Sequence, residues 1–202
     1  MIVIIDYGAG NLFSVKNALD FLGEESVVSS DPEEIEKADK LILPGVGAFP
    51  DAMKQLEEKG LKNVIKKEAL KKPFLGICLG MQMLFETSYE FEEYAGLALI
   101  PGRVTLIDGN KNNENLKVPH MGWSDIDVMN DCPLTKGIFK GDRFYFVHSY
   151  KVETEDDNIS LFANYGDLIP GLVFRDNIYG CQFHPEKSGK IGLKLLKNFA
   201  SL

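Results

Sequence analysis

The sequence predicts an α/β fold with a mostly parallel central sheet flanked by helices and with antiparallel strands added in the second half. Two observations support this prediction. The first half alternates short, β-branched apolar runs with segments of helical periodicity, a pattern typical of parallel strands covered by helices. The second half is rich in short strands separated by polar turn segments, which is typical of antiparallel pairs.

The first half is expected to form three strands, each followed by helix. Apolar residues at positions 12, 15, 19 and 22 give a helical period that stops at Gly23, and Gly60 divides a longer helical stretch in two. The predicted strands are "IVIIDY" (2–7), "KLILPG" (40–45) and "PFLGIC" (73–78). The predicted helices span 11–22, 50–59, 61–72 and 80–88.

The second half is expected to be mostly strand. The predicted strands are "GRVTLID" (102–108), "HMGWSDI" (120–126), "RFYFVHSYKV" (143–152), "ISLFANY" (159–165) and "GLVFRDNIYGCQF" (171–183). Turns are predicted at "DGNKNNEN" (108–115) and "ETEDDN" (153–158), and an amphipathic helix at about 188–201. No linker divides the sequence, so we expect one domain over residues 1–202.

The composition argues against several classes of function. A net charge of −8 argues against a nucleic-acid partner, because phosphate backbones are bound by clustered Lys and Arg. The apolar start is interrupted at Asp6, so we expect neither a signal peptide nor a membrane helix, and we predict a cytoplasmic protein. The three cysteines, Cys78, Cys132 and Cys181, are expected to be reduced thiols.

The segment Gly76-Ile77-Cys78-Leu79-Gly80 carries the strongest chemical signal. It has the spacing of a nucleophile elbow, a tight turn from strand to helix that needs glycine two residues before and two residues after the nucleophile. The helix after Cys78 would favour its thiolate, and the backbone N–H of Leu79 lies where an oxyanion would form. The alternative is a buried structural cysteine at the end of a strand.

His184 and Glu186 are the predicted partners of this cysteine. Pro185 favours an extended backbone at His184, in which residues two apart point to the same side. The carboxylate can then orient the imidazole and stabilise its cation, which gives a Cys-His-Glu triad. The alternative is a histidine at the surface end of a strand.

A zinc site built from Cys78 and histidines is the rival chemistry. The remaining histidines are His120 and His148, and no pair shows the short C-x-x-C or H-x-x-x-H spacing of many zinc sites. We therefore predict neither a metal nor a cofactor.

By its predicted nucleophile elbow and Cys-His-Glu triad, the sequence resembles the class I glutamine amidotransferases. The segments "LGICLGMQML" (75–84) and "CQFHPE" (181–186) resemble their nucleophile and His-x-Glu segments. The resemblance extends over essentially the whole chain. Further matching segments are "DYGAGN" (6–11), "LPGVGAF" (43–49), "PHMGW" (119–123), "FYFVHSY" (144–150) and "HPEKS" (184–188).

The resemblance implies that Cys78 attacks the side-chain amide of L-glutamine, that His184 gives a proton to the departing ammonia, and that water releases glutamate from the thioester. It implies a glutamine pocket and an oxyanion site formed by Gly45, Val46, Gly47, Leu79, Gln82, His148, Ser149 and Tyr150. Without the resemblance, Gln82 would be interpreted as an ordinary polar residue of a helix.

The resemblance is greatest to members that act as a heterodimer with a (β/α)₈-barrel cyclase subunit and pass ammonia to it through a channel. The implied interface residues are Asn11, His120, Met121, Trp123, Tyr145 and Lys187. A lone tryptophan is more often a core residue, which is the alternative for Trp123.

One position departs from the family, because Ser124 stands where asparagine is usual. Neutral drift would explain the difference. So would a glutaminase subunit of a different synthase, such as a sugar amination enzyme of surface polysaccharide synthesis. The sequence would also suit a stand-alone hydrolase or a regulatory binding protein, and the intact triad argues against the binding protein.

Overall fold

Thirteen strands and six α-helices lie in residues 1–111 and 115–202, which the computed structural model describes. The strands are β1 (Ile2–Ile5), β2 (Ser26–Ser29), β3 (Lys40–Gly45), β4 (Phe74–Cys78), β5 (Thr87–Ser88), β6 (Tyr94–Ala95), β7 (Arg103–Leu106), β8 (His120–Val128), β9 (Arg143–His148), β10 (Tyr150–Glu153), β11 (Ile159–Asn164), β12 (Leu168–Arg175) and β13 (Ile178–Cys181). The helices are α1 (Leu12–Phe21), α2 (Pro32–Lys37), α3 (Phe49–Glu58), α4 (Leu61–Ala69), α5 (Leu79–Gln82) and α6 (Gly189–Ala200).

The described residues form one large mixed sheet of nine strands, in the order β2-β1-β3-β4-β13-β12-β11-β8-β9. The neighbours from β2 to β13 are parallel, and those from β13 to β9 are antiparallel. This arrangement confirms the predicted α/β fold, with antiparallel strands added by the second half of the chain.

Both faces of the central parallel strands are buried, as β1 illustrates. Val3 and Ile5 pack into one core cluster together with residues of α3 and α4. Ile2 and Ile4 pack into a second cluster, which contains residues of α1 and α6. A strand covered on both faces has apolar residues throughout rather than at alternate positions, and "IVII" is such a run.

A second sheet of four strands in the described residues has the order β10-β7-β5-β6. The predicted single strand 143–152 is wrong, because the chain leaves the large sheet after His148 and enters this second sheet at Tyr150. Ser149 is therefore the point at which the chain crosses from one sheet to the other. The predicted strand 171–183 is likewise divided into β12 and β13 by a turn at Asp176, whose φ is +54°.

The helix after Cys78 is much shorter than the predicted 80–88, since α5 ends at Gln82. Met83, Leu84 and Phe85 follow, and all three side chains are fully buried. One face of a helix that packs on a core cannot bury three consecutive residues, so the chain turns inward here.

The sequence prediction missed β2 and α2. The start of α2 had a local signal, because Asp31 precedes Pro32 and its side chain accepts a hydrogen bond from the N–H of Glu33 at 2.9 Å. Asp before Pro is a typical N-terminal cap.

Within residues 1–111 and 115–202, no helix is long and apolar enough to cross a membrane. The predicted turn 108–115 includes positions 112–114, which lie outside the described residues.

Candidate active site

The carboxyl ends of three neighbouring strands of the large sheet bring Gly45 and the predicted triad together. Gly45 ends β3 and pairs in register with Cys78, which ends β4. His184 follows β13, the next strand, and its N–H donates to the carbonyl of Tyr145 at 3.0 Å. The carboxyl ends of parallel strands share one edge of a sheet, where α/β folds commonly bind their ligands.

Cys78 lies in a strained turn between β4 and α5. Its φ is +56° and its ψ is −112°, a backbone conformation that residues with a Cβ rarely adopt. The side chain is buried except for a small exposed fraction of 7%. The turn has the form that the G-x-C-x-G spacing predicts.

Close backbone contacts explain the two glycines around Cys78. A Cβ on Gly76 would lie 2.5 Å from the carbonyl oxygen of Gly80. A Cβ on Gly80 would lie 1.8 Å from the carbonyl oxygen of Leu43 in β3. Each distance is far below van der Waals contact, so strand, turn and neighbouring strand can approach this closely only where both residues lack a side chain.

The side chains of His184 and Glu186 form the predicted pair. Nδ1 of His184 lies 2.8 Å from Oε1 of Glu186, and the two side chains are 3% and 1% exposed. Burial lowers the pKa of His184, but hydrogen bonds to Cys78 and Glu186 and the charges of both groups outweigh it and raise the pKa to about 9. The imidazole is therefore held as a cation between a carboxylate and the sulfur.

Two polar groups surround the sulfur of Cys78 in addition to His184. Sγ lies 3.9 Å from the carbonyl oxygen of Val147, and Nε2 of Gln182 donates to Sγ at 3.8 Å. The four-residue α5 has too few aligned peptides for the predicted helix dipole to stabilise a thiolate strongly. The His184 cation is therefore the main stabilising charge beside Cys78.

A cavity of about 390 Å³ opens beside Cys78. The predicted pocket residues that line it are Val46, Gly47, Leu79, Gln82, His148, Ser149 and Tyr150. Gly45 instead lies behind the nucleophile turn, where an added Cβ would be 2.7 Å from the backbone nitrogen of Gly80. As the first residue of α5, Leu79 has a backbone N–H without an intrahelical acceptor.

Gln82 is buried and hydrogen-bonded, unlike an ordinary polar residue on the exposed face of a helix. Its Nε2 donates to the carbonyl of Tyr150 at 3.1 Å and to Oε1 of Gln182 at 3.0 Å. Both N–H bonds of the amide are thus used, so Oε1 is the atom with which Gln82 can accept a hydrogen bond from a ligand.

Glu90 lines the same cavity, and sequence reasoning missed it. Its side chain is buried, and Oε2 accepts a hydrogen bond from the N–H of Phe49 at 2.8 Å. Burial raises the pKa of Glu90, the nearby charge of Asp51 raises it further, and the Phe49 N–H opposes both. In "FETSYEFEEY" (85–94) nothing local distinguishes Glu90 from Glu93, which is exposed, and the difference comes only from tertiary packing.

His120 and His148 form a buried pair across β8 and β9, with Nδ1 of His120 3.0 Å from Nε2 of His148. The side chain of His120 is only 1% exposed and stacks between Phe146 and Tyr165. This corrects its predicted place at a partner interface, because a buried ring cannot contact another protein. In β8 successive side chains alternate between faces, and His120 lies on the inner one.

Among the residues that the structure describes, no ligand set supports the zinc alternative. In residues 1–111 and 115–202, His, Cys, Asp and Glu side chains form no group of three or more that could hold a metal ion.

The remaining predicted interface residues are at least partly accessible. Met121 and Trp123 are 60% and 47% exposed on the outer face of β8, so Trp123 is not a core residue. The Trp123 ring meets Tyr145 edge-on, with ring centroids 6.1 Å apart. Lys187 is exposed and lines the cavity, and Asn11 is half-buried at the start of α1.

Known proteins resemble this chain over almost its full length. The imidazole glycerol phosphate synthase subunit HisH of Lactococcus lactis subsp. lactis is 52% identical over 200 residues, which cover 98% of this chain and 96% of the relative. The subunit of the same name from Bacillus cereus is 48% identical over 200 residues, covering 98% of this chain and 93% of the relative.

The fold is also found in a crystal structure described as a glutamine amidotransferase. The two chains superimpose with a TM-score of 0.76 at 20% identity, and the match covers 100% of each. The profile of the family "Glutamine amidotransferase class-I" matches residues 3–201. The chain therefore belongs to the class I glutamine amidotransferases.

Proposed function

We propose that this chain is the glutaminase subunit of imidazole glycerol phosphate synthase. It hydrolyses L-glutamine to L-glutamate and ammonia and acts as a heterodimer with the cyclase subunit, which uses the ammonia to form imidazole glycerol phosphate and AICAR in histidine biosynthesis. Relatives of this name at 48% and 52% identity support the proposal. We further propose that residues 1–202 form one glutamine amidotransferase domain and that the protein is cytoplasmic.

The observation that carries the proposed chemistry is Cys78 in its strained turn beside a buried His184–Glu186 pair. In this mechanism the thiolate of Cys78 attacks the side-chain amide carbon of glutamine, and a tetrahedral oxyanion forms. His184, held as a cation, transfers its proton to the nitrogen, and the C–N bond breaks to release ammonia. A γ-glutamyl thioester remains on the sulfur.

The second half of the cycle regenerates the thiolate. His184, now neutral, takes a proton from water, which attacks the thioester carbon and releases glutamate. The net reaction consumes one water for each glutamine. Glu186 stabilises the imidazolium before attack and again after deacylation, and it acts through its 2.8 Å contact with Nδ1.

In this mechanism two backbone regions stabilise the oxyanion. The N–H of Leu79 starts α5 directly after the nucleophile. The segment of Val46 and Gly47 lines the same cavity from the end of β3. Each donor aimed at a developing oxyanion is commonly worth about 10²–10³ in rate.

Glu90 and Gln82 suit the amino-acid end of glutamine. A buried carboxylate in a cavity gains from a cationic ligand, and the α-ammonium of glutamine is such a group. Oxygen Oε1 of Gln82 adds a neutral acceptor in the same cavity. This pair would favour glutamine over simple amides that lack an ammonium group.

Changing Glu90 to Gln should raise the KM for glutamine at least tenfold and lower kcat much less, because the lost charge acts on binding rather than on bond breaking. Steady-state kinetics of glutamate release by the complex measures both constants. Glu86→Gln is the matched control, since the Glu86 carboxylate also accepts a backbone N–H, that of Gly102 at 3.0 Å, outside this cavity. An unchanged KM in Glu90→Gln would remove Glu90 from the glutamine site.

The accessible residues of β8, together with Lys187 at the cavity, suit a docked cyclase. Trp123 and Met121 present large apolar surfaces on β8, and Lys187 brings a cation to the rim. Aromatic and methionine side chains are enriched in protein interfaces. A partner seated here would cover the cavity and receive ammonia directly.

We expect the isolated chain to be a poor glutaminase that becomes about 10²–10³-fold faster in the complex with the cyclase ligand bound. Gly47 has a φ of +96°, and glycines on both sides of Val46 allow the peptide that faces the oxyanion to change orientation. Docking can shift this equilibrium only through differential affinity, and a 10²-fold shift requires about 2.7 kcal/mol.

The test is glutamate release by the isolated chain, by the complex, and by the complex with imidazole glycerol phosphate. Equal rates in all three would mean a preformed oxyanion site and would contradict this expectation. Copurification from the native cell, with identification of the bound chain, tests the partner itself. A sugar-aminating synthase found in place of the cyclase would overturn the proposed function.

A further inference from the structure

A continuous set of hydrogen bonds leads from Ser124 on β8 to the wall of the cavity. Ser124 Oγ lies 2.7 Å from Nε2 of His120, and Nδ1 of His120 lies 3.0 Å from Nε2 of His148. Nδ1 of His148 lies 2.7 Å from the carbonyl oxygen of Tyr150. His120 and His148 are buried, so water cannot easily substitute for these bonds.

Which atom donates and which accepts in each of these hydrogen bonds follows from the Tyr150 carbonyl, the acceptor at the end of the set. A carbonyl oxygen can only accept, so Nδ1 of His148 must carry the proton that bonds to Tyr150. Burial lowers the pKa of His148 to about 3 and that of His120 to about 4, so both rings are neutral. Nε2 of His148 must then accept from Nδ1–H of His120, and Nε2 of His120 must accept from the hydroxyl of Ser124.

The Tyr150 carbonyl joins this set to the residues around the nucleophile. It also accepts a hydrogen bond from Nε2 of Gln82, whose second N–H bonds to Gln182, and Gln182 in turn donates to Sγ of Cys78. The Tyr150 carbonyl and Oε1 of Gln182 are thus the two acceptors that fix the orientation of the Gln82 amide. They leave Oε1 of Gln82 as the free acceptor in the cavity.

The bond from His148 to Tyr150 spans the crossing of the chain from the large sheet to the smaller one at Ser149. The carbonyl of Ser149 accepts a backbone hydrogen bond from the N–H of Ile107 at 2.9 Å, and the bond from the His148 ring adds a side-chain brace at the same crossing. His120 keeps this brace in place, because its ring is fixed between Phe146 at 4.8 Å and Tyr165 at 4.1 Å, measured between ring centroids.

We propose that Ser124 and His120 are positioning residues for glutamine binding, because they fix the orientation of His148 and, through the Tyr150 carbonyl, that of Gln82. This inference rests on the proposed glutaminase function. At this position the sequence has serine where the family usually has asparagine. In this proposal the Ser124 hydroxyl acts by its hydrogen bond to His120. Neither Ser124 nor His120 lines the cavity, and both act through His148.

The first test is nuclear magnetic resonance of the full chain labelled with ¹⁵N in histidine. The chain has three histidines, so each ring can be assigned by single replacement. Near neutral pH we expect His120 and His148 as neutral rings protonated at Nδ1, and His184 as the cation. A charged ring, or protonation at Nε2, in His120 or His148 would overturn the proposed direction of the bonds.

The second test is the kinetics of glutamate release by the complex. Ser124→Ala should raise the KM for glutamine about three- to tenfold with kcat within twofold, the range expected for one net hydrogen bond. Ser124→Thr, which restores the hydroxyl, should recover the wild-type KM. His120→Phe keeps the ring stack but removes both nitrogens, and it should raise KM more than Ser124→Ala because the buried Nε2 of His148 loses its donor.

Ser29→Ala is the matched control, since Ser29 is a buried hydroxyl on β2 that accepts a bond from Asp31 away from the cavity. The Kd for glutamine, measured in a Cys78→Ala background, should rise by the same factor as KM in Ser124→Ala and His120→Phe. An active wild type with unchanged KM in both variants would overturn the positioning role alone. A wild-type complex that releases no glutamate would overturn the proposed function, and the positioning role with it.

Discussion

Replacing Cys78 by serine should abolish glutamine-dependent product formation by the complex while leaving ammonia-dependent formation intact. In the proposed mechanism the sulfur acts only in producing ammonia, and the cyclase uses ammonia from any source. Serine is close in size to cysteine, so the strained turn and the docking surface should be retained. A hydroxyl is far harder to ionise than a thiol, and His184 cannot hold it as an alkoxide.

The measurement is product formation with glutamine and, separately, with an ammonium salt at high pH. Cys132→Ser is the matched control, because Cys132 is buried in the core near Ser160 and outside the cavity. It should keep both activities. If Cys78→Ser lost both activities in a folded and associated complex, ammonia production and ammonia use would not be separable as proposed.

The nucleophile turn was predictable because its requirements are local. The two glycines around Cys78 are needed by backbone contacts within a few residues and with one neighbouring strand, and such a need leaves a fixed spacing in the sequence. The pairing of His184 with Glu186 was predictable for the same reason, since residues two apart on an extended segment share a side. The parallel sheet followed from apolar runs buried on both faces.

Glu90, Gln182 and the inner position of His120 were not predictable in this way. Each depends on which distant segment covers the side chain, and the residues next to it in the sequence carry no information about that segment. Glu90 is buried by its bond to Phe49, 41 positions away, and Gln182 is placed by Gln82, 100 positions away. The end of α5 was missed because helical periodicity continues for a few residues after the chain has turned into the core.

Changing Glu186 to Gln should lower the turnover number on the order of 10²- to 10⁴-fold without unfolding the protein. The amide has nearly the shape of the carboxylate, and its oxygen can still accept from Nδ1 of His184. What it lacks is the negative charge that stabilises the imidazolium. The cation is needed twice, once as the partner of the thiolate and once as the acid that protonates ammonia.

The pH dependence separates this electrostatic role from mere orientation. The pKa of His184 is raised to about 9, so the imidazolium is present below that pH and is lost as the pH rises through it. The kcat/KM of the complex for glutamine should therefore fall on the alkaline side near pH 9. Removing the charge of Glu186 lowers the pKa of His184, so in Glu186→Gln the fall should begin at lower pH.

The decisive measurement is the pH profile of kcat/KM for wild type and Glu186→Gln in the same complex, with thermal unfolding as the check on folding. Glu24→Gln is the matched control, because Glu24 pairs with Lys197 at the surface and should leave rate and profile unchanged. A Glu186→Gln complex with full turnover and the wild-type alkaline limb would mean that the buried carboxylate only orients His184. The stabilisation of the imidazolium would then have to come from Cys78 alone, whose thiolate is consumed in the first step and cannot protect the cation that forms during deacylation.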